Sequence, residues 1–297
     1  MPADTFTGWM TAIQQQTEQT LAALLPAEGA HPRALHEAMR YSTLGGGKRV
    51  RPLLVFAAGE AAGGAPETLA PLAAAVECVH VYSLIHDDLP CMDDDVLRRG
   101  KPTCHVAYGE ATALLAGDAL QTLAFDIVSR PLAGVAPARQ LMMAGTLARA
   151  AGHAGMAGGQ AIDLAAVGQS LELPELEYMH LMKTGALIRA SVGLGALAGD
   201  IDDEARACLD HFAKCMGLAF QVVDDVLDVD ADSQALGKTA GKDAAHDKPT
   251  YVSLLGLARA REFARELYDD AIRAVEPFGA DARRLRELAD YIVERSF

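Results

Sequence analysis

Apolar residues recur every three or four positions along most of this chain, and runs that alternate apolar with polar are nearly absent. The first spacing repeats one face of an α-helix and the second one face of a strand, so the pattern predicts helices throughout and an all-α fold. The clearest stripe is Leu209, Phe212, Met216, Phe220, Val223 and Leu227, the buried side of one helix. Val222, Val223, Val226 and Val229 lean toward strand by their branching, but the longer periodicity outweighs that preference. Breakers at Gly45-Gly46-Gly47, Gly63-Gly64, Pro131 to Pro137, Gly168 to Pro174 and Asp230 to Pro249 punctuate the helices. None is long or biased enough for an interdomain linker, and residues 1–297 are expected to form a single domain.

Composition narrows the function. A net charge of -14 argues against a general binder of nucleic acid or anionic membrane, because most of the surface would repel a phosphate backbone. The 5 cysteines are scattered without metal-type spacing and read as reduced thiols, Cys91 in the first acidic cluster included. The first residues lack a basic segment followed by an apolar run, so no secretory signal is expected. Glu60, Glu77, Asp118 and Arg189 interrupt the long apolar stretches, so no membrane span of about 20 residues is expected and the protein is expected to be cytoplasmic.

Two acidic clusters lie inside apolar stretches, Asp87-Asp88 with Asp93-Asp94-Asp95, and Asp224-Asp225 with Asp228. Carboxylates in apolar surroundings cost free energy unless something positive neutralises them, and a hard divalent cation suits an oxygen-only set. Gln221, Asp224, Asp225 and Asp228 fall on one helical face, where the three acids would raise one another's pKa without a cation. The alternative is a solvated acidic helix end, the better reading for Asp228 to Asp232 taken alone. Asp93 follows Asp87 by not quite two turns, and Pro90 between them is expected to bend the helix so that the two converge.

Arg98, Arg99 and Lys101 follow directly. A salt-bridged surface loop would explain them, yet acids that hold metal followed by bases that hold oxyanions describe a phosphate site. Magnesium characteristically uses one or two carboxylates plus substrate phosphates, which makes the expected ligand a diphosphate. A second basic set, Lys48, Arg49 and Arg51, follows the three glycines, whose backbone amides could approach an anion. Lys238, Lys242 and Lys248 form a third. The glycine segment lacks the spacing and ending of a P-loop.

Together these segments resemble the trans-polyprenyl diphosphate synthases, most closely their bacterial farnesyl diphosphate branch. DDLPCMDDDVLRRGKPT is similar to the first aspartate-rich motif in its bacterial form, FQVVDDVLD to the second, and GGGKRVRP and Lys183-Thr184 to two further motifs in the expected order. The resemblance covers nearly the whole chain. It implies a helical bundle of the isoprenoid synthase type around a central cavity, three magnesium ions and a homodimer. Asp87, Asp88 and Asp93 would hold magnesium from one side of the allylic diphosphate and Asp224, Asp225 and Asp228 from the other. Arg98, Lys183, Lys238 and Lys248 would bind that diphosphate, and Lys48, Arg51, His80 and Arg99 that of isopentenyl diphosphate. The Lys183 backbone, Thr184 and Gln221 would stabilise the allylic cation. For Thr184 and Gln221 the residues alone allow plain helix packing, and for His80 a satisfied core histidine.

The resemblance also implies that a bulky residue five positions before the first aspartate, here Tyr82, stops the growing chain at the fifteen carbons of farnesyl diphosphate. An ideal helical wheel places Ser83 nearer the face of Asp87 and Tyr82 to its side, so spacing leaves both as candidates. Geranylgeranyl or geranyl diphosphate is the alternative product, and a non-catalytic helical partner of a synthase is the alternative class. A phosphohydrolase would need a water-positioning base, a di-metal bundle a Glu-x-x-His pair, and a terpene cyclase has little use for a second diphosphate site.

Overall fold

A computed structural model describes residues 5–169, 171–234 and 249–293, with backbone alone over 230–234. The elements in chain order are α1 (Phe6–Leu24), α2 (Arg33–Thr43), α3 (Val50–Ala61), α4 (Pro66–Asp87), β1 (Leu97–Arg98), β2 (Lys101–Pro102), α5 (Cys104–Tyr108) and α6 (Glu110–Ser129). They continue with α7 (Pro137–Ala151), α8 (Met156–Ala166), α9 (Leu173–His180), a π-helical turn over Leu181–Gly185, α10 (Ala186–Ala198) and α11 (Asp203–Gln234). Last come α12 (Tyr251–Leu255), α13 (Leu257–Ala274), a 3-10 segment over Glu276–Ala282 and α14 (Arg283–Val293). The protein is all-α apart from one short ribbon, in which Leu97 pairs with Pro102 and Arg98 with Lys101. Strands of two residues carry no periodicity that a sequence could display.

The contacts divide the chain into two compact units, one of residues up to Phe56 with Gly64–Gly145, the other of Ala57–Gly63 with Thr146 onward. The first is built around α4. Leu69, Leu72, Ala73, Ala74, Ala75, Val76, Cys78 and Val79 are all fully buried, so this helix is apolar on every side, as a central helix must be. It packs along α6 and also touches α1 and α2. Glu77 is its buried charged residue, and it explains Arg49. The Arg49 guanidinium reaches Glu77 Oε1 at 2.6 Å, Glu18 Oε2 at 2.7 Å and the Thr43 carbonyl at 2.6 Å. Arg49 takes a positive φ of 51°, which costs a non-glycine residue roughly 1–2 kcal/mol, and these three bonds hold it there.

In the second unit α11 packs against α10, the π turn, α13 and α14. Leu209, Phe212, Met216 and Val223 of the expected stripe are buried, whereas Phe220 and Leu227 are half-buried and Val222 and Val226 take the inner positions beside them. The strand preference of those valines is overridden by the 32-residue helix.

Three stretches, Pro66–Asp87, Glu110–Ser129 and Leu173–Ala198, are long and apolar enough to cross a bilayer by length and composition. The interrupting charges therefore do not by themselves exclude a span, contrary to the expectation from sequence. For α4 the hydropathy is used internally, since 72% of its most apolar window is buried, whereas for α6 the share is 39%.

Candidate active site

The first acidic cluster sits where α4 ends. The helix stops at Asp87 instead of bending at Pro90, and the turn that follows brings Asp93 back, its N–H donating to the Asp87 carbonyl at 2.9 Å. The expected approach of these residues is thus made by a backbone-bonded turn. Asp88 is only 3% exposed, and both its oxygens are taken: Arg98 Nε lies 3.0 and 2.9 Å from them and Arg98 Nη2 2.6 Å from Oδ1. Burial pushes the Asp88 carboxyl upward, more than Arg98 draws it down. Asp88, expected on metal, and Arg98, expected on diphosphate, are each other's partners in this structure.

Among the described residues no three acids, histidines or cysteines converge tightly enough to hold a metal by themselves. Each cluster taken by itself nevertheless suits magnesium, since Asp87 with Asp93 in the first unit, and Asp224 with Asp228 in the second, offer only hard oxygens and that ion completes its shell with substrate and water.

On the same helix, His80 lies in a strongly electropositive place. Burial drives its pKa well below the usual imidazole value, and the guanidiniums of Arg51, Arg99, Arg98 and Arg49 push the same way. The ring is neutral at neutral pH and can donate one hydrogen bond to an anion. Lys48 is exposed and Arg51 half-buried at the start of α3. Arg99, with φ 52°, donates through Nη1 to the Gly46 carbonyl at 3.0 Å. Gly47 takes a φ of 136°, a backbone conformation that favours glycine, and a Cβ there would also lie 2.5 Å from that nitrogen. The glycines were expected to present amides to an anion, but the Gly45 N–H instead donates to Glu18 Oε1 at 2.6 Å. Tyr82 is buried, with burial raising its pKa against a hydrogen bond to the Gln121 side chain of α6. Ser83 is half-buried and its hydroxyl donates to the His80 carbonyl at 2.8 Å.

The second unit carries a pocket of about 170 Å³ whose lining includes Asp163, His180, Lys183, Thr184, Gln221 and Asp225. Its floor is the π turn, a feature that interrupts the α-helical bonding pattern and is common at functional sites. Gly159 of α8 permits the close approach, because a Cβ there would come within 3.0 Å of the Lys183 backbone nitrogen. Lys183 Nζ is held by Asp163 Oδ2 at 2.5 Å. His180 stacks on Tyr251 with ring centroids 5.4 Å apart, and burial lowers its pKa to about 4, Asp163 opposing and Lys183 adding to the effect. Asp225 is buried, separating it from half-buried Asp224 and Asp228, and its Oδ2 accepts the Tyr251 N–H at 2.7 Å, an otherwise orphaned donor at the start of α12. Lys238, Lys242 and Lys248 lie outside the described residues.

Sequence reasoning missed Asp163, His180 and Tyr251. Asp163 had a signal: with Gln160 it forms a polar pair at i and i+3 within an otherwise apolar run. His180 and Tyr251 had none, since one ends a helix and the other begins a helix far along the chain.

An all-α chain with acidic helix ends, a guanidinium cluster and a lysine-threonine π turn belongs to the polyprenyl synthetase family of prenyltransferases, whose match covers residues 32–289. Among curated relatives it is 51% identical to the farnesyl diphosphate synthase of Escherichia coli K12, over 97% of this chain and 98% of that one. It is also 51% identical to a chloroplastic geranylgeranyl pyrophosphate synthase of Capsicum annuum, over 89% of this chain and 72% of that protein. A crystal structure of an FPP/GFPP synthase from Zymomonas mobilis superposes with a TM-score of 0.89 at 43% identity, covering 97% of this chain and 98% of that one, and places the fold among the isoprenoid synthases.

Proposed function

We propose that the protein condenses isopentenyl diphosphate head to tail with dimethylallyl or geranyl diphosphate, releasing diphosphate and forming farnesyl diphosphate. The observation that carries this reading is α4 itself. One helix bears two different anion-handling ends, a neutral His80 surrounded by arginines and, two turns on, the carboxylates at Asp87 and beyond. A diphosphate that must stay intact suits the first, where the nearby carboxylates of Glu18 and Glu77 are engaged by Arg49. A diphosphate that must leave suits the second, where carboxylates can recruit cations. A hydrolase or a cyclase needs only one such place.

Asp87, Asp88, Asp93, Asp224, Asp225 and Asp228 are the proposed magnesium ligands, for three ions, with Asp88 exchanging Arg98 for the metal and Asp225 keeping its bond from Tyr251. Bound magnesium supplies Lewis acidity that neutralises the charge growing on the leaving diphosphate. Arg98, Lys183, Lys238 and Lys248 add cationic donors to that diphosphate, and Lys48, Arg51, His80 and Arg99 orient the isopentenyl partner. Oxygens of Thr184, Gln221 and the Lys183 backbone stabilise the allylic cation that the isopentenyl double bond attacks. The proton lost from the condensation product goes to the departing diphosphate, since the one imidazole lining the second pocket has its pKa lowered to about 4. Tyr82, buried beneath the first aspartates with Ser83 beside it, limits the product to fifteen carbons. The Capsicum relative's name keeps a twenty-carbon product as the second reading.

The whole chain, 1–297, acts as one synthase domain without a transmembrane segment. Exposed Leu114, Leu115, Leu141 and Met142 favour a homodimer, and five free thiols favour the reducing cytoplasm. The test is purified protein with isopentenyl diphosphate and each allylic starter, with and without magnesium, and chromatography of the dephosphorylated products. Magnesium-dependent fifteen-carbon product is expected; consumption of the allylic substrate without a longer product would refute the reading.

A further inference from the structure

His86 immediately precedes the first aspartate, and the site as described makes no use of it. Its ring leaves α4 toward α6, where Nε2 lies 3.0 Å from the Leu114 carbonyl, with the tautomer that carries the proton there donating to it, and 3.9 Å from Asp118 Oδ1. A helix surface normally offers no room for a ring so close to its backbone. Here the room comes from Gly117, since a Cβ at that position would lie within 3.0 Å of three atoms of the imidazole. One turn back on α4, Tyr82 meets the His86 ring edge to face, with centroids 5.7 Å apart and planes at 73°. One turn on along α6, Gln121 bonds the Tyr82 side chain. Two rings on one helix and a notch with an amide on the other therefore interlock over two turns. A change at the notch has nowhere to go except into the rings.

We propose that His86 and Gly117 form a brace between α4 and α6 that sets how far Tyr82 projects and how Asp87 is presented, so that both determine product chain length without touching the growing chain. His86 is a positioning residue in this assignment. The proposal rests on Tyr82 as the floor of the product pocket, and the physical route is short. Adding one methyl at residue 117 evicts the ring of His86, Tyr82 loses its edge-to-face partner, and the space that stops the chain opens.

The experiment compares Gly117→Ala, His86→Ala, His86→Gln, the double variant Gly117→Ala/His86→Ala and Tyr82→Ala in magnesium with isopentenyl and geranyl diphosphates, reading the ratio of twenty- to fifteen-carbon product and the KM of each substrate. Gly117→Ala is expected to raise that ratio at least tenfold while the isopentenyl diphosphate KM stays within twofold. The same change made in the His86→Ala background, where no ring remains to be evicted, is expected to alter the ratio less than twofold. Equal effects of Gly117→Ala in both backgrounds would overturn the brace. If Gly117→Ala does not yield folded protein, His86→Gln decides, since it keeps a donor for the Leu114 carbonyl and loses the ring; a parental product ratio there overturns the proposal. Unchanged product length in Tyr82→Ala sinks the floor reading, whereas lengthening in Tyr82→Ala with parental products from the Gly117 and His86 variants sinks the brace alone.

Discussion

Acid should destabilise this protein through His180, and the size of the effect follows from its surroundings. The ring is 8% exposed, stacked on Tyr251, and neither of its nitrogens has a hydrogen-bond partner. An imidazole in the unfolded chain takes up its proton near pH 6.5, whereas burial delays this to about 4 in the folded protein. A folded pKa below the unfolded one means stability that is complete above about pH 6.5 and lost as pH falls toward the folded value. Linkage between those two pKa values gives a loss of about 2 kcal/mol on going from pH 7.5 to pH 5. Replacing His180 with Phe keeps a flat ring for Tyr251 and removes the titration. The assay is urea unfolding of both proteins at the two pH values, followed by far-ultraviolet circular dichroism. His80 is depressed in the same direction and contributes to both proteins alike, so it cancels in the comparison. The parent should lose about 2 kcal/mol more than His180→Phe over this interval; equal losses would refute the reasoning.

Asp87→Asn is expected to lower kcat by about a hundredfold or more at saturating magnesium, because it withdraws one carboxylate from the proposed ligands; a parental rate would refute that role. Asp163→Asn leaves Lys183 without its carboxylate partner and should raise the allylic diphosphate KM about tenfold while sparing that of isopentenyl diphosphate, at a cost typical of one charge-assisted bond. Equal changes in both KM values would count against it. Arg49→Met strands the Glu77 carboxylate, whose side chain is 2% exposed, and should cost about 3–5 kcal/mol in urea unfolding, with a loss under 1 kcal/mol as the refuting outcome.

The helices were legible because their stripes repeat over many turns, and α11 held its register against locally strand-prone valines for that reason. The acidic clusters were legible because carboxylates in apolar runs stand out. What each aspartate does in the folded chain was not. Asp87, Asp88, Asp224 and Asp225 look alike as letters, yet Asp88 is clamped by Arg98 from beyond a tight turn and Asp225 by a backbone amide 26 residues on. Arg49 shows the same limit. It read as one of three similar cations, and only the fold reveals that it is buried between two glutamates while Lys48 stays exposed. The π turn has no signature in composition, because its residues Leu181–Gly185 read as part of the same helical stretch, and the close approach of Gly159 to the Lys183 backbone comes from another helix.

The clamp of Arg98 on Asp88 couples the two groups, so that a single ion approaching either one must leave the other unpaired. A stray anion that captured the guanidinium would strand an acid that is only 3% exposed, and a stray cation that captured the acid would strand the base. Either half-exchange forfeits a charge-assisted bidentate bond, and the cost falls mainly on the buried Asp88, since the Arg98 side chain is 34% exposed and keeps part of its hydration. An anion that arrives together with a cation satisfies both partners at once, where either ion alone satisfies one.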